Sequence, residues 1–243
     1  HIAKLVGITK NSVSSIRNKS YWNYNNLNAK DPVALNLFSQ KELIEALLKS
    51  EKENLTYTFY YGLILANERK YSEAISYFEK VLSVDKNHFD SNFNIAGCYQ
   101  GLLIYDKAIK YYSNCSKINL KNFEPCHQIG ICYKQLREYE KSIFYLKKAL
   151  EITSNAKSYY MLGNVYRENG QFDEAKRCFE KSININKEFT QSKLSLANLE
   201  IDNGNYDLAT SMLYEITRSN NDDQILISAN IMIGQILKSK GEY

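Results

Sequence analysis

Three side chains that lie close together in the sequence, Cys126, His127 and Cys132, are of the types that bind zinc. The surrounding segment has a helical pattern, and on one helix these three side chains do not converge on a tetrahedral centre. The other histidines, His1 and His88, are scattered, and no Gly-rich phosphate loop or nucleophile elbow is present in the sequence. We therefore expect no metal site, no cofactor and no enzymatic activity, and we interpret the cysteines as packing residues.

The composition narrows the class of protein. The chain has 243 residues, 44% of them hydrophobic, and only two prolines, so long helices around a substantial core are allowed. Its five cysteines include no C-x-x-C pair, which argues against a disulfide framework and fits a reducing cytosol. No apolar run approaches the roughly 18 residues of a membrane span. We expect a cytoplasmic protein without membrane contact.

Positive charge is concentrated at the start of the sequence. Residues 1–30 hold five basic residues and no acidic residue, whereas the remaining 26 basic residues face 27 acidic ones. The net charge of +4 therefore comes from one short segment. This asymmetry predicts two regions with different partners.

A repeat of about 34 residues runs through the rest of the chain. Small residues recur at spacings of 34, 34, 33 and 34, at Ala74, Ala108, Ser142, Ala175 and Ala209. An aromatic residue stands three positions earlier in each copy, at Tyr71, Tyr105, Tyr139, Phe172 and Tyr206. A second small residue stands twelve positions earlier, at Gly62, Ala96, Gly130, Gly163 and Ala197.

These columns predict one helical hairpin per repeat. The two small residues let the helices of a hairpin approach closely, and the aromatic residue closes its end. Because one hairpin cannot bury its own apolar face, neighbouring hairpins must stack. Tyrosines also recur at repeat positions, as Tyr71, Tyr99, Tyr105, Tyr133, Tyr139, Tyr166 and Tyr206 do, so we interpret the tyrosines as packing residues rather than as a stacking surface for nucleic acid.

The pattern resembles the tetratricopeptide repeat (TPR) family over residues 55–243, and "YYMLGNVYRENGQFDEAKRCFEKSI" is the most similar copy. The proline that often closes each TPR is replaced here by Lys86, Leu120, Ser154 and Lys187. The resemblance implies an all-α superhelical solenoid of five repeats and a truncated sixth, with repeats starting near residues 55, 89, 123, 156, 190 and 227. Gly234 and Tyr243 occupy the small and aromatic columns of the sixth copy, from which we expect a chain that continues beyond Tyr243.

The family's concave face predicts the partner site. It is lined by fixed positions of each first helix, which in this chain are Phe59, Tyr60, Leu63, Asn67, Phe93, Asn94, Gln100, His127, Gln128, Ile131, Lys134, Gln135, Tyr160, Asn164, Arg167, Leu194 and Asn198. Amides and aromatics in this mixture suit an extended peptide, because Asn and Gln pair with its backbone while aromatic rings cover its side chains. The alternative occupant is the chain's own continuation.

The basic first segment does not follow the repeat. Ala3, Gly7, Val13 and Ile16 have the spacing of a helix-turn-helix, so residues 1–45 form a partial helix-turn-helix-like segment, joined by residues 46–54 as a linker or connecting helix. The outward positions of its second helix would meet DNA bases and phosphates through Lys10, Asn11, Ser14, Ser15, Arg17 and Lys19. The alternative is a folded remnant packed on the first repeat.

This segment is similar to the TrcR family of alphaproteobacterial cell-cycle transcriptional regulators. The similar pieces are "LVGITKNSVSSIR", "WN", "DPV" and "SQ".

Three functions follow from the two resemblances. The first is a non-enzymatic TPR scaffold that binds a protein in its concave groove, and the second is a transcription regulator that contacts DNA through residues 1–30. The third is the TPR arm of a larger glycosyltransferase or sulfotransferase.

Overall fold

A computed structural model of the chain describes residues 54–219 and 222–241. These residues form eleven α-helices and no strand, as the sequence predicts for an all-α fold. In chain order the helices are α1 (Leu55–Asn67), α2 (Tyr71–Val84), α3 (Phe89–Gly101), α4 (Tyr105–Ile118), α5 (Glu124–Gln135), α6 (Tyr139–Ile152), α7 (Ala156–Glu168), α8 (Phe172–Ile185), α9 (Thr190–Asp202), α10 (Tyr206–Ser219) and α11 (Asp223–Lys240). The predicted aromatic column supplies the first residue of every second helix from α2 to α10.

Each first helix turns into its second helix through three residues of one geometry. The middle residue of the turn has a positive φ in all five cases, at Arg69, Leu103, Arg137, Gly170 and Gly204. The N–H after it returns to a carbonyl five residues back, as when Gln171 donates to Tyr166 O at 2.8 Å. This is the Schellman arrangement that satisfies the last carbonyls of a helix. The same turn therefore forms at Arg69, Leu103 and Arg137, although none of these three residues is a glycine.

The small-residue columns lie where the two helices of a hairpin meet. All five residues of the second-helix column are fully buried: Ala74, Ala108, Ser142, Ala175 and Ala209. A Cβ added at Gly163 would lie 2.6 Å from Phe179 Cε1, and one added at Gly130 would lie 2.6 Å from Leu146 Cγ. Ser142 Oγ also donates to Gly130 O at 2.7 Å, so the third repeat joins its two helices by a buried hydrogen bond. The predicted close approach is confirmed.

The structure divides into two units at Ile104 and Tyr105. In the first unit, α1, α2 and α3 bury Phe78, Val81 and Ile95 almost completely. The Tyr71 ring reaches the last turn of α3, because a Cβ added at Gly101 would lie 2.7 Å from Tyr71 Cζ. Tyr71 thus packs on the next repeat, in addition to starting its own second helix.

The second unit contains α4 to α11 and two connected core clusters. One cluster extends from Leu146 on α6 to Leu199 on α9, with Phe179 fully buried within it. The other runs from Ala197 on α9 to Ile236 on α11. Because α9 contributes to both clusters, neighbouring hairpins share their apolar residues, as stacked repeats require.

The first helix of the sixth repeat begins earlier than predicted. It starts at Asp223 rather than near residue 227, because the carboxylate of Asp222 caps it by accepting from Gln224 N at 2.9 Å. Nothing lies within 4 Å of a Cβ added at Gly234, in contrast to the glycines of the same column in earlier hairpins.

Candidate functional site

The first helices α5, α7 and α9 of the second unit lie side by side. Two polar contacts join α5 to α7: His127 Nδ1 lies 2.9 Å from Ser158 Oγ, and Lys134 Nζ lies 2.7 Å from a carboxylate oxygen of Glu168. The helices are held in register at both ends by these contacts. Equivalent positions of neighbouring repeats therefore come next to each other across the three helices.

Two asparagines occupy the same column of adjacent helices. Asn164 on α7 and Asn198 on α9 lie one repeat apart in the sequence, and Tyr160 and Leu194 precede them by one helical turn. These four residues form a strip of predicted groove positions, with amides in one row and apolar groups in the row beside it. We call this strip the amide row.

The amides of this row are not used by the rest of the protein. Asn164 is only 9% exposed, yet its side chain makes no hydrogen bond with any residue that the structure describes. Asn198 is half-buried and likewise makes no side-chain hydrogen bond within the described residues. No fully buried side-chain polar atom in the described part of the chain lacks a partner, so the Asn164 amide reaches the surface. Each amide offers two donors and one acceptor to a ligand.

Aromatic packing fixes the apolar side of the amide row. The Tyr160 ring lies 5.4 Å from the Phe189 ring in an edge-to-face arrangement and 6.3 Å from the Phe179 ring. Because Phe179 is fully buried, Tyr160 is held against the core rather than free to rotate. The ring is a rigid wall beside the Asn164 amide.

Two predicted groove residues instead connect the helices. Burial lowers the pKa of His127 to about 4, with a smaller contribution from Lys157, so the imidazole is neutral at physiological pH. The Lys134 side chain is 19% exposed and is held by Glu168. The partners of His127 and Lys134, Ser158 and Glu168, lie on α7, the first helix of the following repeat. Because each pair joins two repeats, the sequence pattern within one repeat does not predict it.

The other predicted positions of the second unit lie on the same helices. Ile131 and Gln128 are half-buried on α5, Gln135 is exposed at its end, and Arg167 is half-buried on α7. Within the described residues, Gln128, Gln135 and Arg167 make no side-chain hydrogen bond or ion pair. They surround the amide row with polar groups that remain available to a ligand.

In the first unit, the predicted positions fall on α1 and α3: Phe59, Tyr60, Leu63, Asn67, Phe93, Asn94 and Gln100. The Phe59 ring packs against His88 at 5.4 Å, and the Phe93 ring stacks on Phe89 at 5.9 Å. Asn94 Nδ2 donates to Asp90 O, one turn earlier on the same helix, at 2.7 Å. This amide is therefore occupied by its own helix, unlike that of Asn164.

The cysteines behave as apolar packing groups. Cys98, Cys115, Cys126, Cys132 and Cys178 are all buried and unpaired by disulfides. Burial raises the pKa of Cys132 to about 12 and that of Cys98 to about 11, so these thiols stay protonated. Among the described residues, no group of three histidine, cysteine, aspartate or glutamate side chains could hold a metal ion.

None of the described helices is long and apolar enough to cross a membrane. The predicted DNA-contact residues, Lys10, Asn11, Ser14, Ser15, Arg17 and Lys19, lie outside the described residues.

Three family models match parts of the chain. The model described as tetratricopeptide repeat matches residues 156–189, and that of anaphase-promoting complex, cyclosome, subunit 3 matches residues 67–149. The model of the transcriptional cell cycle regulator TrcR matches residues 1–52. No curated protein sequence matches the chain at a significant level.

Solved structures of low sequence identity share the fold. A tetratricopeptide repeat protein from Parabacteroides merdae ATCC 43184 is 20% identical, with a TM-score of 0.70 over 85% of this chain and 81% of that chain. PilF of Pseudomonas aeruginosa is 18% identical, with a TM-score of 0.64 over 79% of this chain and 86% of that one. YrrB, described as a TPR protein with an unusual peptide-binding site, is 16% identical, with a TM-score of 0.57 over 78% of this chain and 98% of that chain.

The period, the buried small-residue columns and these matches identify the helical array from residue 55 onward as a tetratricopeptide repeat array.

Proposed function

We propose that the repeat array is a non-enzymatic scaffold that binds an extended peptide segment of a partner protein across α5, α7 and α9. TPR folds serve as scaffolds for protein interaction, and the structurally similar YrrB is described as having a peptide-binding site. The groove positions predicted from sequence in this unit lie on these three helices.

One observation carries the proposal: Asn164 and Asn198 stand in one column with no hydrogen-bond partner among the described residues. A polar side chain that is nearly buried and unpaired costs free energy unless something else completes its hydrogen bonds. The backbone of an extended peptide carries a donor and an acceptor at every residue, so it can pair with both amides in succession. The Tyr160 ring then covers an apolar side chain of the same peptide.

The test is a peptide selection against the full chain, followed by affinity measurements on the selected peptides. We expect Asn164→Ala combined with Asn198→Ala to weaken binding by roughly 5- to 100-fold, from the loss of two hydrogen bonds. The matched control is Asn184→Ala, which removes an exposed amide from the second helix α8. Peptides that bind the double variant as tightly as the wild type would show that the amide row is not the site.

The match of residues 1–52 to the TrcR model favours a second function, contact with DNA through the basic first segment. Residues 1–30 hold five basic residues and no acidic one, so they attract phosphates irrespective of base sequence. Base-specific contact would additionally need Asn11, Ser14 and Ser15 in the major groove.

This second function is tested by measuring how DNA affinity falls with salt. For the full chain with Lys10→Ala and Arg17→Ala, we expect the slope of log K against log salt to fall by about two. Lys86→Ala with Lys121→Ala removes the same charge from exposed turns of the array and should leave the slope unchanged. Equal slopes for both double variants would contradict DNA contact by the first segment.

A further inference from the structure

A cavity of about 400 Å³ opens between α6 and α8, with α7 below it. Tyr159, Leu162 and Tyr166 from α7 form its floor together with Cys178 from α8. These α7 residues recur at intervals of three and four, so they share one helix face. The amide row residues Tyr160 and Asn164 lie on a different face of α7, and the cavity is therefore a separate site.

One side chain at the cavity is smaller than its counterpart in the preceding repeat. In the preceding repeat, Tyr145 stands where Cys178 stands, and its ring stacks on Tyr133 at 5.5 Å with planes 22° apart. Tyr133 is the counterpart of Tyr166, so the tyrosine pair fills the equivalent space there. With a thiol in place of the second ring, the Tyr166 ring has no aromatic stacking partner among the described residues, and the cavity beside it has a volume within the usual range for small-ligand sites.

Cations cover this aromatic floor. Lys147 Nζ lies 5.9 Å from the Tyr166 ring centre, and Lys181 Nζ lies 5.5 Å from the Tyr159 ring centre. Arg177 also lines the cavity and makes no ion pair with any described residue. Two carboxylates, Glu151 and Glu174, line it as well, so the cations exceed the anions by one. A cationic ligand would have to displace the lysines from the rings, whereas an anion is attracted.

The thiol at the floor responds to the same charges. Burial raises the pKa of Cys178 to about 11, while Lys181 and Lys147 act in the opposite direction more strongly than Glu174 opposes them.

We propose that this cavity binds an aromatic carboxylate, with its ring in the space that Tyr145 fills in the preceding repeat and its carboxylate at Arg177. The guanidinium can hold a carboxylate through two parallel hydrogen bonds, which a lysine cannot do. The ring would take the place of Lys147 over Tyr166 and contact Leu162, and the displaced lysine would stay close to the ligand's negative charge. The ligand is a small molecule or the last residue of a peptide chain, since both present this chemistry.

The experiment titrates the full chain with three probes by saturation-transfer NMR. Indole-3-propionate represents a small molecule, and acetyl-Ala-Ala-Trp with a free carboxylate represents a peptide end. The amide of that peptide lacks the charge. We expect a dissociation constant on the order of 1 mM for a ligand of this size, and no binding of the amide. Binding of either acid supports the proposal, and the acid that binds more tightly identifies the source of the ligand. Failure of both acids, or equal binding of the amide, overturns it.

Variants separate the cavity from the rest of the surface. Arg177→Gln should weaken binding of the acid about tenfold or more, whereas Glu180→Gln on the same helix should not weaken it. Cys178→Tyr should abolish binding by filling the cavity, and Cys178→Ala should preserve binding. Undiminished binding in Arg177→Gln, or in a Cys178→Tyr variant that still folds, would refute the assignment. Because Arg177 is exposed, Arg177→Gln keeps the test decisive even if Cys178→Tyr unfolds the chain.

Discussion

The glycine column provides a pair of substitutions with opposite expected effects. Gly163 lies in α7, where an added Cβ would be 2.6 Å from Phe179 Cε1 and 2.8 Å from Cδ1. Gly234 occupies the same column in α11, where an added Cβ meets nothing within 4 Å. Alanine is favoured over glycine within a helix by about 1 kcal/mol. In the chain of residues 1–243, the two positions therefore share the propensity gain and differ in the space around the added Cβ.

The expected magnitude at Gly163 follows from the neighbour it would meet. Phe179 is fully buried within the cluster around α7 and α8, and its ring also packs on Tyr160, so it cannot withdraw without disturbing other contacts. Overpacking of this kind typically costs about 1–3 kcal/mol. After the propensity gain, Gly163→Ala should destabilise the chain by ~0–2 kcal/mol, whereas Gly234→Ala should be neutral or stabilising by up to ~1 kcal/mol.

The assay is chemical denaturation followed by far-UV circular dichroism, with the free energy of unfolding and its denaturant dependence compared among variants. A double variant identifies the clash. The fifth repeat buries the equivalent pair Ala197 and Leu213 completely, so adding Phe179→Leu to Gly163→Ala should recover part of the loss, with a coupling free energy of at least ~0.5 kcal/mol. If Gly163→Ala and Gly234→Ala proved equally stable, close approach at the glycine column would not be what holds the hairpin together.

Three further changes test buried polar groups and turns. Glu200 is 1% exposed and accepts from Lys176 and Asn205 at 2.6 Å each, and these bonds, chiefly that of Lys176, lower its pKa from the ordinary value of 4.5. Near neutral pH, Glu200→Gln should thus lower the free energy of unfolding by ~1–3 kcal/mol. When denaturation is repeated at lower pH, the difference in stability between this variant and the wild type should vanish below the lowered pKa of Glu200. Because the pKa of His127 falls from 6.5 in the unfolded chain to about 4, the wild type should lose stability as the pH falls through this window, by about 2 kcal/mol at about pH 5, and His127→Gln should lack that loss. Arg137 has a φ of 60°, so Arg137→Gly should leave thermal stability unchanged or raise it by up to ~1 kcal/mol, and a clear drop would contradict the turn geometry.

Much of the fold could be predicted because residues that lie close together in the sequence determine how the two helices of a repeat pack. The aromatic column marks the first residue of each second helix, and the small columns mark where helices touch, since only small residues allow that approach. The helix α11 begins at Asp223, ahead of the repeat start predicted near residue 227, because the Asp222 cap lies outside the columns that define the period. A cap is set by one side chain and its neighbours, and it can move independently of the packing pattern.

The cavity between α6 and α8 shows why a repeat pattern conceals a site. Read by column, Cys178 and Tyr145 are both acceptable apolar residues, and the pattern treats them as equivalent. In the structure, the Tyr145 ring stacks on Tyr133 of α5, whereas the thiol of Cys178 lines an open cavity beside Tyr166 of α7. The signal was therefore present in the sequence as a deviation within a column, and a comparison of side-chain volumes between repeats would have found it.

The asparagines illustrate the limit of reading function from residue type. Asn94 and Asn164 are both amides on first helices, and the sequence assigns both to the groove. Asn94 donates to the carbonyl of Asp90 on its own helix, which removes one donor from use by a ligand. Asn164 is nearly buried but uses none of its hydrogen-bonding groups on the described residues, so completing them is left to a ligand or to water. Since Asn94 already uses one donor on its own helix and lies on α3, outside the proposed site, Asn164→Ala should weaken peptide binding far more than Asn94→Ala. The reverse order would mean that the peptide depends on Asn94 of α3 and not on the amide row.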